Sequence, residues 1–100
     1  MALKVVLGAS ARDDLQSIFE WLEPQAGPEF ARDYVRRIRE QCSALGEFPN
    51  RGRSRADIAP ALRTILFEHQ AIIAYIAGVG EVQIVRILHH GRDIGSALPR

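Results

Sequence analysis

Apolar residues along this chain fall first into one short run, then into two helical stripes, then into three strand-like runs. Leu3 to Leu7 is a compact apolar run closed by Gly8 and predicts a strand. Ser10 follows as the expected N-cap of a helix, with Asp13 three residues on and Asp14 beside it. Ala11, Leu15, Ile18 and Leu22 then recur at helical spacing, with Phe19 and Trp21 widening or flanking that face, and Pro24 is expected to end it. Gly27-Pro28 restarts a helix, since proline at the first position lacks only an N–H that would be unpaired anyway. From there Ala31, Tyr34, Val35, Ile38, Cys42 and Leu45 keep to one stripe, while Arg32, Asp33, Arg36, Arg37, Arg39 and Glu40 occupy the opposite face. A connection of about five residues leaves room only for an antiparallel helix hairpin. The second helix is expected to fade at Gly46 and to end before Pro49.

Pro49 to Pro60 carries no periodicity and reads as a solvated, flexible loop. Arg51, Arg53 and Arg55 alternate there with small residues, a spacing that suits a phosphate backbone. The loop has no aromatic side chain, so it offers bases no stacking platform. Three strands are predicted next: Leu62 to Phe67, a tight turn at Glu68-His69, Gln70 to Ala77, a hairpin turn at Gly78-Val79-Gly80-Glu81, and Val82 to His89. Short connections make these three antiparallel, and the first strand must join an edge or lie beside the last one. The expected architecture is β-α-α-β-β-β, an α+β fold of one antiparallel sheet packed against a helix hairpin, filling residues 1–100 as one domain.

Composition narrows the possibilities. Thirteen Lys+Arg against twelve Asp+Glu leave a net charge of +1, which argues against a chain built to live on nucleic acid. Lys4 is the only lysine, so the cationic chemistry is that of planar guanidinium groups. The single Cys42 excludes an internal disulfide and sits in a helical stripe as apolar filler. No apolar run approaches the ~20 residues that span a bilayer, and residues 1–7 are too short for a signal segment, so a cytoplasmic location is expected.

The candidate chemistry gathers at the end of the last strand, Arg86-Ile87-Leu88-His89-His90-Gly91-Arg92-Asp93. Arg86 has apolar neighbours on both sides and must either be paired, with Asp93 or Glu68 as candidate partners, or lie at the floor of a recognition surface. His89 and His90 are adjacent, so a continuing strand points them to opposite faces. That placement suits neither a shared metal ion, even with Asp93 or His69 as a third ligand, nor any cofactor. Imidazole as general base for a ribose hydroxyl would need cations to stabilise the transition state, with Arg86 and Arg92 as the nearest. Nothing matches a Ser-His-Asp set, a phosphate loop or a dinucleotide fingerprint.

The order strand, helix hairpin, arginine-containing loop and three-stranded meander resembles the ParE/RelE toxin superfamily. The resemblance is carried by Phe48-Pro49-Asn50-Arg51-Gly52-Arg53-Ser54-Arg55 followed by Leu62-Arg63, by Ile72-Ile73-Ala74-Tyr75, and by Val85-Arg86-Ile87-Leu88-His89-His90-Gly91-Arg92-Asp93. It implies the toxin of a type II toxin–antitoxin module, held inactive in a hetero-oligomer by a small ParD-like antitoxin. Within the superfamily, ParE-like members are associated with inhibition of DNA gyrase and RelE-like members with ribosome-dependent cleavage of mRNA. The position four residues before Tyr75, where RelE-like enzymes place an arginine, holds Ala71, and the lysines they use are missing. The resemblance therefore implies a non-enzymatic ParE-like gyrase inhibitor without catalytic residues, direct nucleic-acid binding or a membrane. Its expected target-binding residues are Arg86, His89, His90 and Arg92, and its expected antitoxin-binding residues are Leu15, Phe19, Trp21 and Tyr34. The alternative is a RelE-like nuclease using His89, His90 and Arg86.

Overall fold

The computed structural model describes residues 2–89. His90, Arg92 and Asp93, which the sequence reading drew into the candidate site, lie outside the described residues. The elements are β1 (Lys4–Leu7), α1 (Ala9–Ala26), α2 (Pro28–Ala44), β2 (Arg53–Ser54), β3 (Leu62–Phe67), β4 (Ala71–Ala77) and β5 (Glu81–His89). The α+β class holds, and the sheet is mixed: its order is β1-β5-β4-β3-β2, with β1 parallel to β5 and every other pairing antiparallel.

Both helices differ locally from the sequence expectation. α1 starts at Ala9 rather than after Ser10, with Gly8 at the cap position and no side-chain cap. The N–H of Gly8 is drawn to the carbonyl of Ile84, which fixes where the chain leaves the sheet. Pro24 does not end α1, which runs on to Ala26. An exposed proline in the last turns lacks one backbone bond but leaves the buried anchor at Leu22 undisturbed. The interhelical connection shrinks to Gly27 alone, whose φ of 95° serves both helix ends.

The buried stripe of α1 and α2 packs on one sheet face around Leu15, Ile38, Ile73, Tyr75 and Ile84. A smaller cluster of Leu62, Ala74 and Leu88 occupies the other face under Ile58 and Ala59. Cys42 is fully buried, and burial pushes its thiol up to about 12, so it is inert filler. The segment expected to be a free loop is tied down: β2 pairs with β3, and Arg55 binds Asp57.

The β3–β4 turn carries backbone strain. Glu68 and His69 adopt φ of 49° and 60°, the left-handed region that costs a side chain roughly 1 kcal/mol per residue. His69→Gly is expected to raise stability by about 0.5–1 kcal/mol, read as a higher denaturant midpoint at constant m-value. An unchanged or lower midpoint contradicts the strain.

Candidate functional site

The end of β5 is arranged by one extra residue. Tyr75 faces Ile84 while the next residue of β4 back along the chain, Ala74, faces Arg86, so Val85 is inserted as a bulge. Without it, Arg86 would follow Val82 and Ile84 onto the core face. The insertion shifts the phase, gives that place to Ile87, and leaves Arg86 to reach the carboxylate of Asp14 on α1.

That pairing is tight. Arg86 donates from Nε to Asp14 Oδ2 and from Nη2 to Oδ1, both at 2.8 Å, and the N–H of Ile87 donates to the same Oδ2 at 2.8 Å. β1 covers β5 only as far as Ile84, so Asp14 supplies the acceptor that the edge lacks at Ile87. The side chains of Arg86 and Asp14 are only 15% and 10% exposed. Of the candidate partners from the sequence, Asp93 lies outside the described residues, and Glu68 is engaged elsewhere. Glu68 instead binds Arg37, which also stacks over the rings of Tyr34 and Phe67. The readable signal for Asp14 lies in its spacing: positions 11, 14, 15, 18 and 22 form one stripe, and Asp14 is its sole charged member.

The same phase shift puts His89 on the helix-facing side. Its Nε2 lies 3.1 Å from the Tyr34 hydroxyl, and its ring lies 5.0 Å from that of Trp21 and edge-on to that of Tyr34 at 5.7 Å. Burial, followed by the charge of Glu68, pushes the Tyr34 phenol above its ordinary range and keeps it a proton donor. The structure thus joins His89, expected at a target surface, with Tyr34 and Trp21, expected at an antitoxin surface. Leu15 and Tyr34 are core residues, 2% and 3% exposed, and Phe19 is half-buried. Trp21 is exposed, and so is Phe30, which the sequence reading passed over. Phe30 lies off the α2 stripe but four residues before Tyr34, on which it stacks at 6.4 Å.

Tyr75 has a different occupation. It is fully buried, its O–H donates to the Pro49 carbonyl at 2.9 Å, and it accepts from the Gly52 N–H at 2.7 Å. Arg63, opposite Tyr75 in the register, donates to the carbonyls of Gly52 and Asn50. Together they clamp residues 49–52 against the sheet. Ala71 is buried opposite His89, so no cation stands at that point of β4. Among the described residues no group of His, Cys, Asp and Glu is arranged to hold a metal ion, and no helix is long and apolar enough to cross a membrane.

Comparison with known proteins gives a consistent result. The sequence model of the family described as "ParE toxin of type II toxin-antitoxin system, parDE" matches residues 5–94. Toxin ParE1 of Mycobacterium tuberculosis is 23% identical over 94 residues, covering 94% of this chain and 96% of its own. Among solved structures, a chain of the chromosomal ParDE system from P. aeruginosa superposes with a TM-score of 0.77 and 28% identity, over 88% of this chain and 96% of the other. A chain of the toxin–antitoxin complex RelBE2 from Mycobacterium tuberculosis shares the fold, with a TM-score of 0.68 and 17% identity over 90% of this chain and 100% of the other.

Proposed function

Because the chain belongs to the ParE toxin family of type II toxin–antitoxin systems, we propose that it inhibits DNA gyrase in the cytoplasm by binding, breaks no bond itself, and is neutralised by a ParD-like antitoxin. The observation that carries this reading is the engagement of Tyr75. RNA cleavage needs a base, an acid and cations converging on one phosphate. Here the strand tyrosine is buried and bonded to Pro49 and Gly52, the strand arginine is bonded to Asp14, and His89 is turned toward the helices beside Tyr34. These three groups serve three separate local structures.

The helix hairpin supports the antitoxin half of the reading. Trp21 and Phe30 are large rings left exposed beside a buried aromatic cluster, the kind of anchor that an apolar partner helix covers. The similar chains from P. aeruginosa and Mycobacterium tuberculosis come from a ParDE system and a RelBE2 toxin–antitoxin complex. Arg86, held by Asp14, acts as a positioning residue for the end of β5, and the target contact is assigned to His90 and Arg92 rather than to the buried His89.

Purified gyrase supercoiling with this chain added tests the proposal. Dose-dependent loss of supercoiling is expected, reversed by the cognate antitoxin, together with no mRNA cleavage on translating ribosomes. Codon-dependent cleavage that falls by orders of magnitude in a His89→Ala/His90→Ala variant would instead establish the nuclease.

A further inference from the structure

Arg51, Arg53 and Arg55 alternate with other residues along the chain, and their partners set them apart. Arg55 is held by Asp57. Arg51 and Arg53 are exposed, and among the described residues neither has a carboxylate within ion-pair distance. Arg63 is partly buried beside them and spends its donors on the carbonyls of Gly52 and Asn50, which are neutral. It too has no carboxylate within ion-pair distance among the described residues. A partly buried cation without a counter-charge is costly to keep. Three uncompensated guanidinium groups therefore stand around the Gly52 backbone.

The backbone that carries them is fixed. Tyr75 holds Pro49 and Gly52, and Arg63 holds Asn50 and Gly52, so the chain is secured on both sides of Arg51. Pairing with Thr64 secures Arg53. Both arginines line one cleft, with a cavity volume of about 590 Å³, whose walls include Gln41, Thr64, Leu66 and Ile72. It offers guanidinium, amide and hydroxyl donors beside an apolar strip, and among the described residues no carboxylate lines it. Groups held in place before binding lose little freedom when a ligand arrives. The net charge of +1 hides this local excess, because α1 carries Asp13, Asp14, Glu20 and Glu23 against Arg12 alone.

We infer that Arg51 and Arg53, with Arg63 behind them, form a contact site for the phosphodiester backbone of duplex DNA. Each of the two exposed guanidinium groups would meet one of two neighbouring phosphates. Leu66 and Ile72 would cover the apolar edge of a deoxyribose, which lacks the 2′-hydroxyl of RNA. A single strand fits less well, because no aromatic ring among the described residues lines the cleft to stack its bases. Contacts to phosphate orient a protein on DNA without reading its sequence. This differs from the expectation, drawn from the family resemblance, of no direct nucleic-acid binding. It stands whichever protein the toxin inhibits.

The test titrates the full chain with a short fluorescent DNA duplex across a range of salt. A single-stranded RNA of equal length and a peptide rich in Asp and Glu serve as comparison probes. Two neutralised phosphates give a slope of log affinity against log salt of about −1.8, so a tenfold rise in salt weakens binding roughly 60-fold. Arg51→Ala is expected to make that slope shallower by about 1, and Arg51→Ala/Arg53→Ala to bring it close to zero. Both side chains are exposed and hold no carboxylate, so thermal melts of these variants should match the parent. Arg32→Ala/Arg39→Ala removes the same charge from the exposed face of α2 and is expected to leave the slope unchanged. No binding of the duplex at low salt overturns the inference. So does a slope that Arg51→Ala/Arg53→Ala changes no more than Arg32→Ala/Arg39→Ala does, or binding of the RNA or the peptide as tight as that of the duplex.

Discussion

Asp14→Ala is expected to destabilise the protein by about 3–5 kcal/mol, the range for removing one partner of a buried ion pair. The single carboxylate satisfies three N–H groups, two from the Arg86 guanidinium and one from the Ile87 backbone, all at 2.8 Å. Its removal takes two guanidinium bonds from a cation whose side chain is only 15% exposed and reopens the sheet edge where β1 has ended. In a 100-residue domain such a loss lowers the melting temperature by roughly 15–30 °C, and it approaches the whole stability of a marginal protein. Asp14→Leu combined with Arg86→Met should recover most of the loss, since an apolar pair of similar volume leaves no orphaned charge. A melting temperature for Asp14→Ala within a few degrees of the parent would show that the pair is dispensable.

The second large effect belongs to the clamp at Tyr75. Tyr75→Phe keeps the ring but leaves the Gly52 N–H and the Pro49 carbonyl without their shared partner, a loss of about 2–6 kcal/mol at roughly 1–3 per orphaned group. Gly52→Ala strikes the same contact from the other side. A Cβ there would lie 2.5 Å from the Tyr75 hydroxyl and 2.9 Å from the Thr64 carbonyl, and the latter is backbone and cannot step aside. Overpacking of this kind costs about 1–3 kcal/mol. The two changes share a contact, so the double variant should lose measurably less than their sum in denaturant melts. Strict additivity would mean that Gly52 and Tyr75 do not meet as described.

Much of this architecture was legible as periodicity. The stripes through Ala11, Leu15, Ile18 and Leu22, and through Ala31, Tyr34, Ile38 and Cys42, are the buried faces of α1 and α2. The β3–β4–β5 meander was readable from its turn residues. What could not be read depended on long-range partners. Pairing of β1 with β5, and of Arg53 with Thr64, is chosen by tertiary contact rather than local propensity. The site was legible only in outline, because the strand-end cluster stood out in composition while its geometry did not. Alternation alone cannot reveal an inserted residue, so the partner of Arg86 and the side taken by His89 were hidden. Asp14 within an apolar stripe was the one local clue to that partner.

The inserted Val85 bears on how roles are carried from one relative to another. A homologue lacking that single residue would align letter for letter through its strand-end histidine, yet would hold it on the opposite side of the sheet. In this family, transferring a function from a matched letter is sound only after counting the residues that separate the hairpin from that histidine.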